Sequence, residues 1–461
     1  MPILRAYALP HPPLAIPGVG RGQEDGISRT LQSFREVASE IAEAAPDTII
    51  FITPHNVIYA DYFHISPGDC AGGGFTRFND RKTKLEARYD GKLADEIIRL
   101  AEINGIPAGY MGEKDPELDH GVTVPMWFIN NCYTNYKTVR ISQSGMDPAE
   151  HYRLGMLIAE AAENTGAGAV LIGSSDLSHK LTRDGPYGYA PEGPEFDEAV
   201  TNALSCGNFL DLFNIPGSLR EKAAECGYNS LMVLAGCFDR SQVSARLLSY
   251  EGPFGVGYAI ASFSAGLPDE RRCFLDIHEE ACRNEASQRR DSEDVYRALA
   301  RQSLEYRILQ GKTITLPGGL PDELLGKRAG VFVTLYKNDR LRGCIGTTAP
   351  TTASVAEEII QNAVSAGLSD PRFDPVSASE LPMLTYKVDE LFPPEPVKSR
   401  EELDVKRYGV IVSSGTRRGL LLPNLEGVDT VDEQITIARR KAGIPENASL
   451  ILERFEVIRH E

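Results

Sequence analysis

Four of the eight histidines in this 461-residue chain stand where their side chains can do chemistry together. His11 lies in Leu9-Pro10-His11-Pro12-Pro13, His55 in Thr53-Pro54-His55, His120 in Asp119-His120-Gly121, and His179 in Ser175-Asp176-Leu177-Ser178-His179. Three of the four closely follow a short apolar run. Neutral imidazole is the commonest protein ligand for divalent transition metals, so a metal centre is the first expectation. Two histidines and one carboxylate on one face of an ion leave positions open for oxygen and substrate. His11 and His55, each stiffened by flanking proline, are the expected ligands. Glu225, in Ala224-Glu225-Cys226-Gly227, is the expected carboxylate. Cys226 beside it competes, since thiolates bind iron, copper and zinc well.

The elements that must position these residues alternate in type. Apolar strands are expected at 3–9, 48–53, 137–142, 169–173, 245–249 and 256–262, with a short one at 106–110. Amphipathic helices are expected at 24–45, 91–104, 147–165, 195–205 and 218–238. Strands separated by helices of this length predict an α/β sheet covered by helices on both faces. Ligands bind such sheets at the carboxyl ends of the strands, and His11, His55 and His179 fall just beyond those ends. Residues 269–292 are highly charged and read as a solvated linker or helix. A smaller α+β domain follows over 293–461. The chain thus divides into 1–268, 269–292 and 293–461.

Bulk properties exclude some partners. Hydrophobic residues make up 42% and charged residues 25%, an ordinary soluble balance. A net charge of -17 argues against a nucleic-acid partner, which needs a basic face. No run of about 18 apolar residues predicts a membrane span. The eight cysteines are dispersed without a Cys-x-x-Cys pair, which suits a reducing cytoplasm and excludes the common structural zinc patterns.

Five short motifs, in order, resemble the class III extradiol dioxygenase superfamily (LigB-like), especially its Memo-like branch. They are Pro10-His11-Pro12-Pro13, Thr53-Pro54-His55, Asp119-His120-Gly121, Ser175-Asp176-Leu177-Ser178-His179 and Glu225-Cys226-Gly227. The resemblance implies that His11, His55 and Glu225 hold Fe(II), with zinc, copper and manganese as other occupants. It implies acid–base and oxygen chemistry for His120 and His179, with His179 as base. Asp176 is placed to orient His179 or, more modestly, to cap a turn. The implied substrate is a small aromatic or phenolic molecule. Memo-like proteins in some cases carry cysteine in the acidic ligand's place, so Glu225 and Cys226 both stand as third-ligand candidates. A non-catalytic metal- or peptide-binding module is the competing reading. Tyr7, Phe51, Trp127, Tyr187 and Tyr228 are the aromatic residues placed to stack on a ring.

Residues 290–461 resemble the AMMECR1 domain. The matching pieces are Leu341-Arg342-Gly343-Cys344-Ile345-Gly346-Thr347, Asp370-Pro371-Arg372-Phe373 and Gly419-Leu420-Leu421-Leu422-Pro423. Cys344 sits between glycines and beside a permanent cation, which would favour thiolate and makes it a candidate nucleophile. The alternative is a buried small hydrophobe in a tight turn. The pairing of the two domains implies a shared pathway with a radical SAM protein.

Overall fold

In the computed structural model the described residues are 3–113, 116–337, 340–425 and 427–461. They form two compact units, Met1–Glu280 and Ala281–Glu461.

The first unit is built on a six-stranded sheet. Its strands are β1 (Ile3–Leu9), β2 (Thr48–Thr53), β3 (Lys137–Ser142), β4 (Ala169–Ser174), β5 (Ser241–Glu251) and β6 (Tyr258–Pro268). Their order is β3-β2-β4-β1-β6-β5. The first four run parallel, and β6 and β5 complete one edge antiparallel. β2 and β4 are buried at every position, as a parallel strand covered on both faces must be.

Side chains alternate between two helical layers. Ile49 and Phe51 pack with α1 (Ser28–Ala44) and, further on, with Val124 and Phe128 of helix His120–Asn130. Ile50 and Ile52 pack with α2 (Gly91–Ile103) on the opposite face. Helix His120–Asn130 is α3, and α4 (Pro148–Thr165) joins α2 on that second face. The result is the predicted α/β architecture.

The segment 218–238 departs from the single helix expected there. It splits into α5 (Gly217–Ala223) and α6 (Tyr228–Gly236). Ala224 terminates α5 in the left-handed region, at φ 53. The intervening loop carries Glu225 and Cys226. The charged segment after β6 holds a helix, α7 (Phe274–Asp291), whose Phe274 and Leu275 enter the core of the first unit.

The second unit contains two four-stranded antiparallel sheets. The first places β7 (Gly330–Lys337) between β8 (Arg340–Gly346) and β9 (Leu384–Leu391), and the helices Val295–Gln310 and Val355–Leu368 cover it. The second is centred on strands Gly409–Ser414 and Ile451–Phe455, with helix Val431–Lys441 against it. Mixed strand and helix without regular alternation is the α+β class expected. No helix among the described residues is long and apolar enough to cross a membrane.

Candidate metal centre

Adjacent parallel strands deliver the site. β4 lies between β1 and β2, with Leu9 beside Ser174 and Ile52 beside Gly173. His11, His55 and the Ser175–His179 segment therefore leave the sheet at the same end.

His11 is the centre of the cluster and is almost fully buried, at 1% exposure. Its Nδ1 lies 2.9 Å from Ser174 Oγ. The Ser174 hydroxyl donates its own hydrogen to the Gly121 carbonyl at 2.6 Å. Ser174 Oγ can then only accept, so His11 carries its proton on Nδ1 and presents a lone pair on Nε2. That Nε2 lies 3.0 Å from His55 Nε2, 3.5 Å from Cys226 Sγ and 3.6 Å from Asp176 Oδ2. One nitrogen from each histidine and the Cys226 sulfur all lie within 4.8 Å of one another.

The expected third donor, Glu225, is not in this cluster. Its carboxylate turns back and accepts the Tyr228 N–H at 2.7 Å, satisfying an open amide at the start of α6. Cys226 faces His11 instead, and Gly227 explains why. A Cβ on Gly227 would sit 2.4 Å from both Cα and Cβ of Ser175 and 2.8 Å from the Asp176 carbonyl. Without one, the loop presses onto the end of β4 and carries the thiol to the imidazole. Gln143 holds this loop, donating to the Cys226 carbonyl at 2.9 Å and to Ser230 Oγ at 2.7 Å.

Asp176 also differs from expectation. Its carboxylate accepts the His11 backbone N–H at 2.7 Å and serves His11 in place of His179. The His179 backbone donates to the Ala223 carbonyl at 3.1 Å, and its Nε2 lies 3.8 Å from Cys226 Sγ. His120 opens α3 and stacks on His55 with ring centroids 4.0 Å apart. All four histidines thus gather in one cluster. Phe78 meets His120 edge-on at 5.4 Å, and Tyr187 lies 5.1 Å from the His179 ring. Of the other aromatic candidates, Tyr7, Phe51 and Tyr228 are core residues, and Trp127 packs against Phe128.

Desolvation sets the charge state. It holds His11 well below the ordinary imidazole range, lowers His55 and His120 to about 4, and lowers His179. Neutral imidazoles are the ligand-competent form. Burial raises Asp176 to about 7 and pushes the Cys226 thiol well up. A bound cation reverses that bias, because a coordinating thiol loses its proton outright. The donor set therefore suits a cation that accepts two imidazoles and a thiolate.

Cys344 lies in the second unit, on β8 rather than in a turn. Its flanking glycines serve close packing: a Cβ on Gly343 would meet the Ala366 carbonyl at 2.1 Å, and one on Gly346 the Phe332 ring at 2.2 Å. The Arg342 guanidinium is taken by Glu380, at 2.9 Å and 3.1 Å. Thr334 donates to Cys344 Sγ at 3.3 Å, yet burial dominates and raises the thiol. Arg372, which holds Asp370, is the cation that opposes this rise.

Sequence comparison finds two families in the chain. Residues 5–261 match the family described as the catalytic LigB subunit of aromatic ring-opening dioxygenase, and residues 297–460 match AMMECR1. The chain belongs to the LigB family and carries an AMMECR1 domain. Protein CA_C1420 of Clostridium acetobutylicum is 42% identical across 99% of this chain and 98% of its own length. A Thermotoga maritima protein is 52% identical over 37% of this chain and 98% of its own. Among solved structures, the uncharacterized protein PH0010 of Pyrococcus horikoshii aligns with 36% of this chain and 88% of its own, at 33% identity and TM-score 0.33. The uncharacterized protein JW3007 of Escherichia coli aligns with 56% of this chain and 99% of its own, at 16% identity and TM-score 0.39.

The four histidines of the LigB domain are legible in the sequence, and the residues that support them are not. Ser174 adjoins the Ser175–His179 motif and Gly227 closes Glu225-Cys226-Gly227, and their small size is the signal that marks them. Arg140, wholly buried on β3 with its Nη1 3.7 Å from Asp119 Oδ2, carries no such signal, since a lone arginine in a strand reads as an exposed one.

Proposed function

We propose that the LigB domain is a metal-dependent redox enzyme acting on a small phenolic molecule, with His11, His55 and Cys226 as the protein ligands. The observation that supports this most is the convergence of two neutral imidazoles and a thiol on one point. The family relationship favours Fe(II), and the thiolate widens the choice to copper, which soft ligands select. When bound, the metal supplies Lewis acidity and a path for electrons between substrate and oxygen.

The chain's own residues divide the remaining work. His179, neutral and beside the ligand sulfur, accepts the phenolic proton at an imidazole nitrogen. His120, stacked on His55, lines the position where a second substrate oxygen sits and offers it a hydrogen bond. Phe78 and Tyr187 provide apolar walls beside these two rings for a planar substrate.

Full-length protein purified anaerobically and analysed for iron, copper, zinc and manganese tests the ligand set. About one ion per chain is expected, lost in His11→Ala, His55→Ala and Cys226→Ala. Retention of metal by all three variants refutes it. Oxygen uptake over a panel of catechols and phenols then tests the chemistry. Metal-loaded protein that consumes no oxygen with any of them contradicts the redox assignment and supports a binding module.

A further inference from the structure

The first turn of α3, Asp119-His120-Gly121, touches both expected ligand histidines without being a ligand itself. One arm runs from Asp119. Its Oδ1 accepts the Thr53 hydroxyl at 2.6 Å, and Thr53 Oγ1 in turn accepts the His55 backbone N–H at 3.2 Å. The other arm runs from Gly121, whose carbonyl takes the Ser174 hydroxyl and so leaves Ser174 to accept from His11 Nδ1.

The two arms meet at Gly121. A Cβ there would lie 2.4 Å from Thr53 Oγ1, 2.9 Å from Asp119 Oδ1 and 3.2 Å from Ser174 Oγ. Those are the three atoms that transmit both arms. A glycine is needed for this approach, since any side chain would part them.

The turn is braced from behind. Arg140, on β3, is wholly buried. It donates to the Glu117 carbonyl at 3.0 Å and to Ser66 Oγ at 2.7 Å, and it pairs with Glu113. Glu113 also accepts from His64 Nε2 at 3.1 Å. Arg140 Nη1 is 3.7 Å from Asp119 Oδ2, a buried oxygen with no hydrogen-bond partner among the described residues. A buried arginine is retained where its planar fork fixes several acceptors at once.

We infer that Asp119, Gly121, Thr53 and Ser174 form a bracket that positions the two ligand histidines and fixes the His11 tautomer, with Arg140 as its brace. These are positioning residues, and the inference rests on the metal reading above. Outer hydrogen bonds of this kind typically govern metal affinity by 10–100-fold.

The test uses full-length Ser174→Ala, Gly121→Ala, Thr53→Val and Thr53→Ser, titrated anaerobically with Co(II) alone. Affinity is read from the thiolate-to-cobalt and ligand-field absorption bands. The first three variants are expected to weaken Co(II) by roughly 10–100-fold and to change the ligand-field bands. Thr53→Ser, which keeps the hydroxyl, is expected to stay near the parent. Histidine-selective ¹⁵N spectra give a readout independent of metal: the parent shows His11 protonated on Nδ1, and Ser174→Ala loses that preference. Folded variants with parental cobalt affinity, bands and His11 tautomer overturn the bracket. If the parent itself takes up no Co(II), the metal reading falls, and the nitrogen resonances still decide the bracket.

Discussion

Gly227→Ala probes the step that brings sulfur to the site. The new methyl carbon would lie 2.4 Å from two carbon atoms of Ser175 and 2.8 Å from a backbone oxygen. Carbon atoms rest at about 3.5–4.0 Å, so the loop or the end of β4 must yield by roughly 1 Å. Ser175 is anchored, its N–H donating to the Leu9 carbonyl at 2.8 Å within a buried sheet end. The loop moves instead, and Cys226 moves with it. Metal–ligand distances tolerate only about 0.2 Å, so a shift near 1 Å removes the sulfur from coordination. Overpacking costs about 1–3 kcal/mol, a melting shift of several degrees for a unit of this size. Thermal melting of metal-free protein and anaerobic metal titration measure the two effects separately. A folded Gly227→Ala protein with parental metal affinity would refute the reasoning, because it would show that Cys226 needs no close approach to Ser175.

Glu225→Ala makes the complementary case. Loss of the acceptor for Tyr228 N–H costs about 1 kcal/mol of stability, measured by denaturant unfolding, while metal affinity stays within about twofold. A large loss of metal in that variant would return Glu225 to the ligand set. Because burial raises the Cys226 thiol, divalent metal binding releases a proton, and affinity rises by about tenfold per pH unit between pH 6 and 8. Isothermal titration in buffers of different ionisation enthalpy counts that proton, and a count of zero contradicts thiolate ligation. In the AMMECR1 domain, Arg342 helps hold Glu380 near a pKa of about 2 against the burial that opposes it. A depressed carboxylate stabilises fully above its unfolded pKa of about 4.3 and loses that contribution as pH falls toward 2. Acid unfolding of Glu380→Gln is therefore expected to be shallower over this window than that of the parent. An unchanged acid profile would show that this pair adds nothing.

The strands at 3–9, 48–53 and 137–142 were legible to the residue, and 48–53 (TIIFIT) shows the continuous β-branched and aromatic run of a strand buried on both faces. Three of the histidines were legible because they closely follow apolar runs, while His120 stands at the start of a helix. What the pattern concealed lay in backbone geometry. The break between α5 and α6 depends on a left-handed Ala224, a conformation no residue type signals there. The choice between Glu225 and Cys226 depends on what Gly227 touches at the end of β4, at Ser175, far away in sequence. In the AMMECR1 domain, the glycines around Cys344 read equally as room for a nucleophile or as a tight turn, whereas they allow a strand to pack against a helix and a ring. Glycine announces close approach, and only the fold says to what.

X-ray absorption at the metal edge of anaerobically purified protein reads the ligand set of His11, His55 and Cys226 itself. One sulfur scatterer is expected, near 2.3 Å for a zinc-like ion, together with two imidazoles, and the sulfur is lost in Cys226→Ser. A metal shell of nitrogen and oxygen alone in the parent, or a sulfur that survives Cys226→Ser, would contradict it.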